Sequence, residues 1–474
     1  MSSILEISST EHSPFSFSKD LHDHLSGRSL LALEIPFETA LLTEHLQQGF
    51  VTAKPGVVHD KSKWLCGRCG STDQRLFASF PCSLCDSDCT YCRACIMMGR
   101  VSECAKLYTW SGPEWVYPIP EKVMAWEGTL SEGQQTASDQ VVTSIAANAE
   151  LLVWAVCGAG KTEVLFRGIE SALTMGKRVC IATPRTDVVL ELAPRLKAAF
   201  PHIDVAALYG GSEERHKQSP LVVSTTHQLF RFERAFDVII IDEVDAFPYS
   251  ADASLQYAVS KAKKAKSSTI YLTATPSKKM QHDYRSGKLS AVKIPARFHR
   301  RPIPVPELKW GGNWQKQLQQ GKLHPELKRW TLQRLQQNIP ILLFFPSIAV
   351  MDSCLPLFQQ LHPNLQSVHS ADPNRNEKVM ALRHGEFPGL LTTTILERGV
   401  TIHRLEVAII GAEHDVFSES GLVQIAGRVG RSKDHYRGNV TFFHYGKSKD
   451  MVEAVSHIKR MNEEAHKWGL LDVL

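Results

Sequence analysis

The sequence predicts an α/β protein, with two parallel-sheet units in tandem behind a small cysteine-rich module. Three observations predict it. From Leu130 onward, apolar β-branched runs of about five residues alternate with helical patterns. One proline-rich stretch interrupts that alternation. Eight of the 11 cysteines fall between Cys66 and Cys104. At 474 residues the chain exceeds one ordinary domain of roughly 100–200 residues.

Composition narrows the class. A hydrophobic fraction of 43% and a charged fraction of 22% exclude wholesale disorder. The formal charge of +5, from 54 Lys+Arg against 49 Asp+Glu, permits an anionic partner without demanding one. The longest apolar run, Ile341 to Val350, contains Pro346 and falls short of the roughly 20 residues that span a bilayer. The start lacks a basic stretch followed by an apolar one, so a protein of the cell interior is expected, with reduced thiols.

Composition shifts divide the chain at 1–60 (no motif), 61–115 (the cysteine module), 125–296 (first α/β unit), 297–307 (a stiff linker with three prolines and local positive charge) and 308–474 (second α/β unit). There are no short repeats and no low-complexity tract.

In the first α/β unit, Leu151 to Val156 reads as a buried strand. It runs into Cys157-Gly-Ala-Gly-Lys-Thr162 and then a helical pattern from Glu163. Strand, glycine-rich loop, Lys-Thr and helix form a phosphate-binding loop. Gly158 and Gly160 let the backbone wrap a phosphate, with Ala159 between them, and the N–H groups at the helix start point at its oxygens. Lys161 reaches the β/γ-phosphates and the Thr162 hydroxyl holds Mg²⁺. Downstream, Phe236 to Asp245 is an apolar strand ending in acids. Asp242 is placed to hold Mg²⁺ through water, and Glu243 to polarise an attacking water. These residues predict an ATPase.

Ala155–Thr162 with Asp242-Glu-Val-Asp245 resembles motifs I and II of superfamily 2 helicases, where Ala in place of the opening glycine is common. Others follow in order. Thr183-Pro-Arg185 resembles motif Ia, Thr225-Thr-His-Gln228 motif Ib, and Thr273-Ala-Thr275 motif III. Thr392 to Gly399 resembles motif V, and Gln424 to Arg431 motif VI. The resemblance implies two RecA-like lobes with ATP between them. Arg428 and Arg431 then reach the γ-phosphoryl from the second lobe, with Arg431 as the principal finger. It also implies that Gln134 reads the adenine edge and that Gln424 belongs to the catalytic set. Thr183, Arg185, Thr225, Thr226 and Thr393 become the candidates to grip a nucleic-acid backbone. The run Lys261-Ala-Lys-Lys-Ala-Lys266 reads instead as the solvated face or end of a helix.

Cys66-Gly-Arg-Cys69 and Cys92-Arg-Ala-Cys95 are two Cys-x-x-Cys knuckles with metal-ligand spacing, and zinc favours tetrahedral thiolate sites. Cys82, Cys85, Cys89 and Cys104 leave two outcomes open, a second four-sulfur site or spare thiols. The isolated Cys157, Cys180 and Cys354 are read as packing residues. Nothing nearby suggests an open coordination position, so the zinc is expected to be structural.

The cysteine module, the Trp154–Thr162 loop and Ile241-Asp-Glu-Val-Asp-Ala-Phe-Pro-Tyr249 together resemble the ComFA-type late competence proteins of Gram-positive bacteria, over nearly the whole chain. That resemblance implies a cytosolic ATPase at the inner face of the membrane. It would draw transforming single-stranded DNA inward with other uptake proteins, bind zinc through four cysteines, and allow a homo-oligomer. Two rival readings stand beside it, a duplex-unwinding DNA or RNA helicase and an ATP-switched DNA-binding scaffold that does not translocate.

Overall fold

The computed structural model describes residues 16–61, 63–397 and 402–472. Its N-terminal part is antiparallel. Strands β1 (Ser29–Leu31) and β2 (Val51–Pro55) both pair with β8 (Lys106–Trp110), in the order β1-β8-β2. Between β2 and β8 lie a hairpin of β3 (Val57–Asp60) and β4 (Lys63–Cys66), and a sheet of β5 (Phe77–Cys82), β6 (Ser87–Cys92) and β7 (Val101–Ser102). The division drawn at residue 60 is therefore no structural boundary. The cysteine module is an insertion in a unit that the motif-free N-terminal stretch helps to build. Pairing between residues about fifty to eighty positions apart left no local signal in the sequence.

The first lobe is a seven-stranded parallel sheet of β9 (Glu150–Ala155), β10 (Val179–Thr183), β11 (Val205–Leu208), β12 (Leu221–Thr225), β13 (Phe236–Asp242), β14 (Lys263–Thr273) and β15 (Ser290–Ile294). Their order is β11-β12-β10-β13-β14-β9-β15. Strands β10 and β12 are buried along their whole length, as covered parallel strands must be. Each large aliphatic side chain buried there contributes roughly 1.5–3 kcal/mol.

The second lobe repeats the plan with six parallel strands. These are β16 (Glu307–Trp310), β17 (Ile341–Phe344), β18 (Gln366–Val368), β19 (Gly389–Thr392), β20 (Glu406–Ile410) and β21 (Val440–His444), in the order β16-β21-β20-β17-β19-β18. Two parallel-sheet lobes behind a cysteine-bearing module is the architecture the sequence predicts.

Two charged segments differ from expectation. The Lys261–Lys266 run is where the helix Ala253–Ala262 passes directly into β14, and Lys261 is half-buried there. Its ammonium donates to the carbonyls of Arg68 and Phe230, both at 2.9 Å, tying a cysteine knuckle to the first lobe. Arg297, which opens the proline-rich linker, is 1% exposed, because its guanidinium serves the second lobe as described below. Lys and Arg patterning reports charge, and these carbonyl partners are invisible to it.

Candidate active site

In a doubly wound sheet, ligands sit beyond the carboxyl ends of the strands. Strands β13, β14 and β9 are neighbours, so the ends at Asp242, Thr273 and Ala155 come together. After β9 the chain turns through Gly158 (φ +80°) and Gly160 (φ +71°) into the helix Lys161–Thr174. Both glycines lie in the left-handed region that other residues enter at a cost. A Cβ on Gly160 would also stand 2.3 Å from the Gln134 amide nitrogen. A concave loop closed by glycines at a helix N-terminus has the shape and donor set for phosphate.

A cavity of about 720 Å³ opens over this loop. Lys161, Thr162, Asp242 and Glu243 line it from the first lobe, and Gln424, Gly427, Arg428 and Arg431 from the second. Glu243 holds φ +57° and its N–H donates to the Asp242 carboxylate at 2.9 Å. A non-glycine residue in that conformation stores about 1 kcal/mol or more of strain. The structure thus gathers the sequence-predicted phosphate, magnesium, water and arginine positions around one space. Lys161, Thr162 and Asp242 offer the ammonium, hydroxyl and carboxylate that a magnesium–nucleotide requires.

Several details refine the expected roles. Gln134 is largely buried. Its carbonyl accepts from Ser131 N–H at 2.8 Å and its amide donates to Ala159 O at 2.9 Å, so it clamps the phosphate loop to the helix Glu132–Ala146. Arg428 donates from Nε to the Glu397 carbonyl at 2.9 Å. Cys157 is not a packing residue: its thiol donates to Gln424 Oε1 at 3.0 Å across the cleft. By contrast, Cys180 and Cys354 are fully buried in apolar clusters, as expected.

Sequence reasoning missed the clamp that brings motif VI to the loop. Arg297 donates to the carbonyls of Val429 (2.8 Å), Gly430 (2.6 Å) and Gly427 (3.1 Å). Burial pushes its guanidinium down to about 10, which leaves it charged at neutral pH. Phe298 beside it lines the cavity and its N–H donates to Gly158 O at 3.0 Å. A Cβ on Gly427 would lie 2.4 Å from that of Cys157, so this glycine permits the close approach of the lobes.

A second link joins the lobes below the cleft. The Asp245 carboxylate accepts from the hydroxyls of Thr273 (2.6 Å), Thr275 (2.8 Å) and Ser420. The Thr275 and Ser420 hydroxyl oxygens stand 2.9 Å apart on that carboxylate. Motifs II and III are thereby wired to the helix Glu419–Ala426 that carries motif VI.

The nucleic-acid candidates sit at strand ends. Thr183 closes β10, Thr225 closes β12, Thr226 opens the next turn and Thr393 follows β19. Thr183 and Thr226 have no accessible surface in this arrangement. Arg185 pairs with Glu397 of the second lobe at 3.8 Å. Arg398 and Gly399 of motif V lie outside the described residues.

The cysteines form two clusters of four. The Sγ atoms of Cys66, Cys69, Cys92 and Cys95 lie within 4.8 Å of one another, as do those of Cys82, Cys85, Cys89 and Cys104. A tetrahedron with zinc–sulfur bonds of about 2.3 Å has edges of about 3.8 Å. Cys66–Cys95 and Cys69–Cys92 both stand at 3.7 Å, so the first cluster fits such an ion. Hydrogen bonds from Cys69, Cys92 and Cys95 hold the Cys66 thiol far below the usual thiol range, while their partner Cys95 is pushed far above it. Thiolates this close repel one another, and a bound cation would let all four ionise together. This cluster is buried in an apolar core that includes Cys180, Val222 and Ile239 of the first lobe.

The chain carries the paired domains of the helicase-like ATPases of superfamily 2. Residues 10–109 match the competence protein ComFA N-terminal domain, 127–278 the type III restriction enzyme res subunit, and 326–433 the helicase conserved C-terminal domain. The chain is 50% identical to competence protein ComFA of Bacillus subtilis, over 95% of this chain and 97% of the relative. It is 36% identical to competence protein ComFA of Streptococcus pneumoniae, over 93% and 98%. Among solved structures, S. cerevisiae Dbp5 bound to RNA and ADP BeF3 shares the fold at a TM-score of 0.52 and 12% identity, covering 72% of this chain and 98% of that one. The chain belongs to the ComFA family. Among the described residues no helix is long and apolar enough to cross a membrane.

Proposed function

We propose that this protein is an ATP-driven translocase on single-stranded DNA that draws transforming DNA into the cell during natural competence. It would act on the cytoplasmic side with other uptake proteins at the membrane. The observation that carries the reading is the cleft, in which hydrolytic groups from one lobe meet arginines from the other. Lys161 and the loop N–H groups bind the nucleotide phosphates. Thr162 and Asp242 hold Mg²⁺, which when bound neutralises phosphate charge. Glu243 orients and polarises the water, and Arg431 stabilises charge developing on the γ-phosphoryl. Closure of the lobes therefore depends on nucleotide. The Asp245–Thr275–Ser420 link supports transmission of that closure to the strand ends that carry Thr225 and Thr393. Arg185, which bridges the lobes through Glu397, is placed to feel the same movement.

The cysteines at 66, 69, 92 and 95 hold a structural zinc in this reading, and the relatives named for competence support the biological role. Two measurements test it. Steady-state ATP hydrolysis is compared with no polymer, single-stranded DNA, duplex DNA and RNA, beside Lys161→Ala. ATP-dependent displacement of streptavidin from the biotinylated end of single-stranded DNA then reports tracking. Stimulation by single-stranded DNA together with displacement supports the motor. Nucleotide-switched binding without displacement means a scaffold, and displacement of a paired strand from duplex means an unwinding helicase. Hydrolysis indifferent to every polymer overturns the proposal.

A further inference from the structure

Beyond the inner zinc proposed above, we infer that the module holds a second zinc ion at an outer site made by Cys82, Cys85, Cys89 and Cys104, and that this outer ion is the more readily removed. The sulfurs have the spacing of a tetrathiolate. Cys82–Cys104 stand at 3.7 Å and Cys82–Cys85 at 3.4 Å, close to the tetrahedral edge and far beyond the roughly 2.05 Å of a disulfide. An all-thiolate set selects zinc over the hard oxygen-seeking cations.

The backbone builds the same knuckle twice. At the inner site, Gly70 N–H donates to Cys66 O at 2.9 Å, and Gly70 holds φ +69°. At the outer site, Asp86 N–H donates to Cys82 O at 3.0 Å, and Asp86 holds φ +52°. In each case the left-handed residue follows the second cysteine directly and turns the chain back after both thiols of a Cys-x-x-Cys. Aspartate is one of the few side chains that enter this left-handed conformation readily, so the outer turn forms without a glycine.

Away from Cys92 of the inner cluster and the half-buried Phe77 beside it, little apolar packing holds the hairpin together. Across β5 and β6 the buried residues are Cys82, Cys89, Thr90 and Cys92, and no aliphatic side chain is among them. Two six-residue strands without an apolar core are marginal in water. Metal ligation supplies the missing free energy in small modules of this kind. Cys104, in the turn after β7, ties that turn to the hairpin through the same cluster.

The two sites differ in shelter. The inner sulfurs are buried and share the first lobe's core, whereas Cys85 and Cys104 are exposed. A chelator therefore reaches the outer ion first.

The test counts zinc by plasma mass spectrometry on the full chain purified without chelator, and maps native thiol alkylation by peptide mass spectrometry as a chelator is added. The expected result is two zinc ions per wild-type chain, falling to one in a Cys85→Ser, Cys104→Ser variant. The alkylation map of the wild type, which needs no variant to fold, should show Cys82, Cys85, Cys89 and Cys104 labelled before Cys66, Cys69, Cys92 and Cys95. One zinc or none in the wild type, two retained in the variant, or outer thiols labelled before any chelator is added would each overturn the inference. The count is independent of the motor, since an ATPase indifferent to DNA leaves it unchanged.

Discussion

Arg297 sets its guanidinium 2.6 Å from the carbonyl oxygen of Gly430, so a residue leaving the first lobe holds the backbone of motif VI in the second. Two further carbonyls of the same segment complete the fork. Hydrogen bonds from a charged donor are worth about 1.5–3 kcal/mol each. Losing even one such increment from the closed state costs about 10- to 100-fold in rate. Arg297→Ala should therefore lower kcat for ATP hydrolysis by about that factor, with circular dichroism unchanged. Arg297→Lys should not restore it, because an ammonium cannot span three carbonyls. Full activity in the alanine variant would show that the clamp is dispensable.

Glu243 and Arg431 line the same cavity from opposite lobes and should separate binding from chemistry. Glu243→Gln keeps shape and hydrogen bonding but loses the base, so hydrolysis should fall at least about 100-fold. Arg431→Ala should cost on the order of 1,000-fold. A fluorescent ATP analogue should still bind both variants within a few-fold of the wild type. Loss of binding in parallel with hydrolysis would move these residues from catalysis to nucleotide capture.

Asp245 accepts three hydroxyls, one of them from the other lobe. Asp245→Ala leaves the Thr273, Thr275 and Ser420 hydroxyls without that acceptor while the nucleotide groups stay in place. Basal hydrolysis should persist within about 10-fold, and stimulation by single-stranded DNA should largely disappear. The readout is the ratio of stimulated to basal rate. An unchanged ratio would mean that coupling runs elsewhere.

The legible parts were those whose physics is local. A buried strand, a glycine turn and Lys-Thr announce the loop and helix start within a dozen residues, and an apolar run ending at Asp242 announces the acid that lines the same cavity. Knuckle spacing announced the inner cysteine site. What stayed hidden depends on distant backbone. The carbonyls that Arg297 serves are about 130 positions away, and Lys261 serves one 193 positions away, at Arg68, beside one 31 away, at Phe230. Both side chains therefore read as solvated charge in a linker and in a lysine run. Cys157 looked apolar by its neighbours, yet the partner that defines it, Gln424, arrives from the second lobe.

Glu34 shows how the cysteine module is fastened to the motor, and it gives the fastening a pH signature. Its carboxylate accepts from Leu31 N–H at 3.0 Å and Arg231 Nε of the first lobe at 2.7 Å, and it pairs with buried Arg68 of the inner knuckle. Burial alone would raise its pKa, but the Arg68 charge, the Leu31 N–H and Arg231 together hold it below the ordinary 4.5. A depressed carboxylate contributes stability that is fully present above the ordinary value and is lost as pH falls through the folded-state value. Glu34→Gln breaks a largely buried pair and leaves the Arg68 charge without its carboxylate, so it should cost about 3 kcal/mol at pH 7. Thermal unfolding of both proteins from pH 7 downward checks this. The gap between them should stay constant to about pH 5 and narrow below it, because the wild type loses its carboxylate while the variant has none to lose. Thiolate protonation falls equally on both and cancels in the difference. A gap that stays constant to the lowest pH would place the cost of the substitution in lost packing instead of charge.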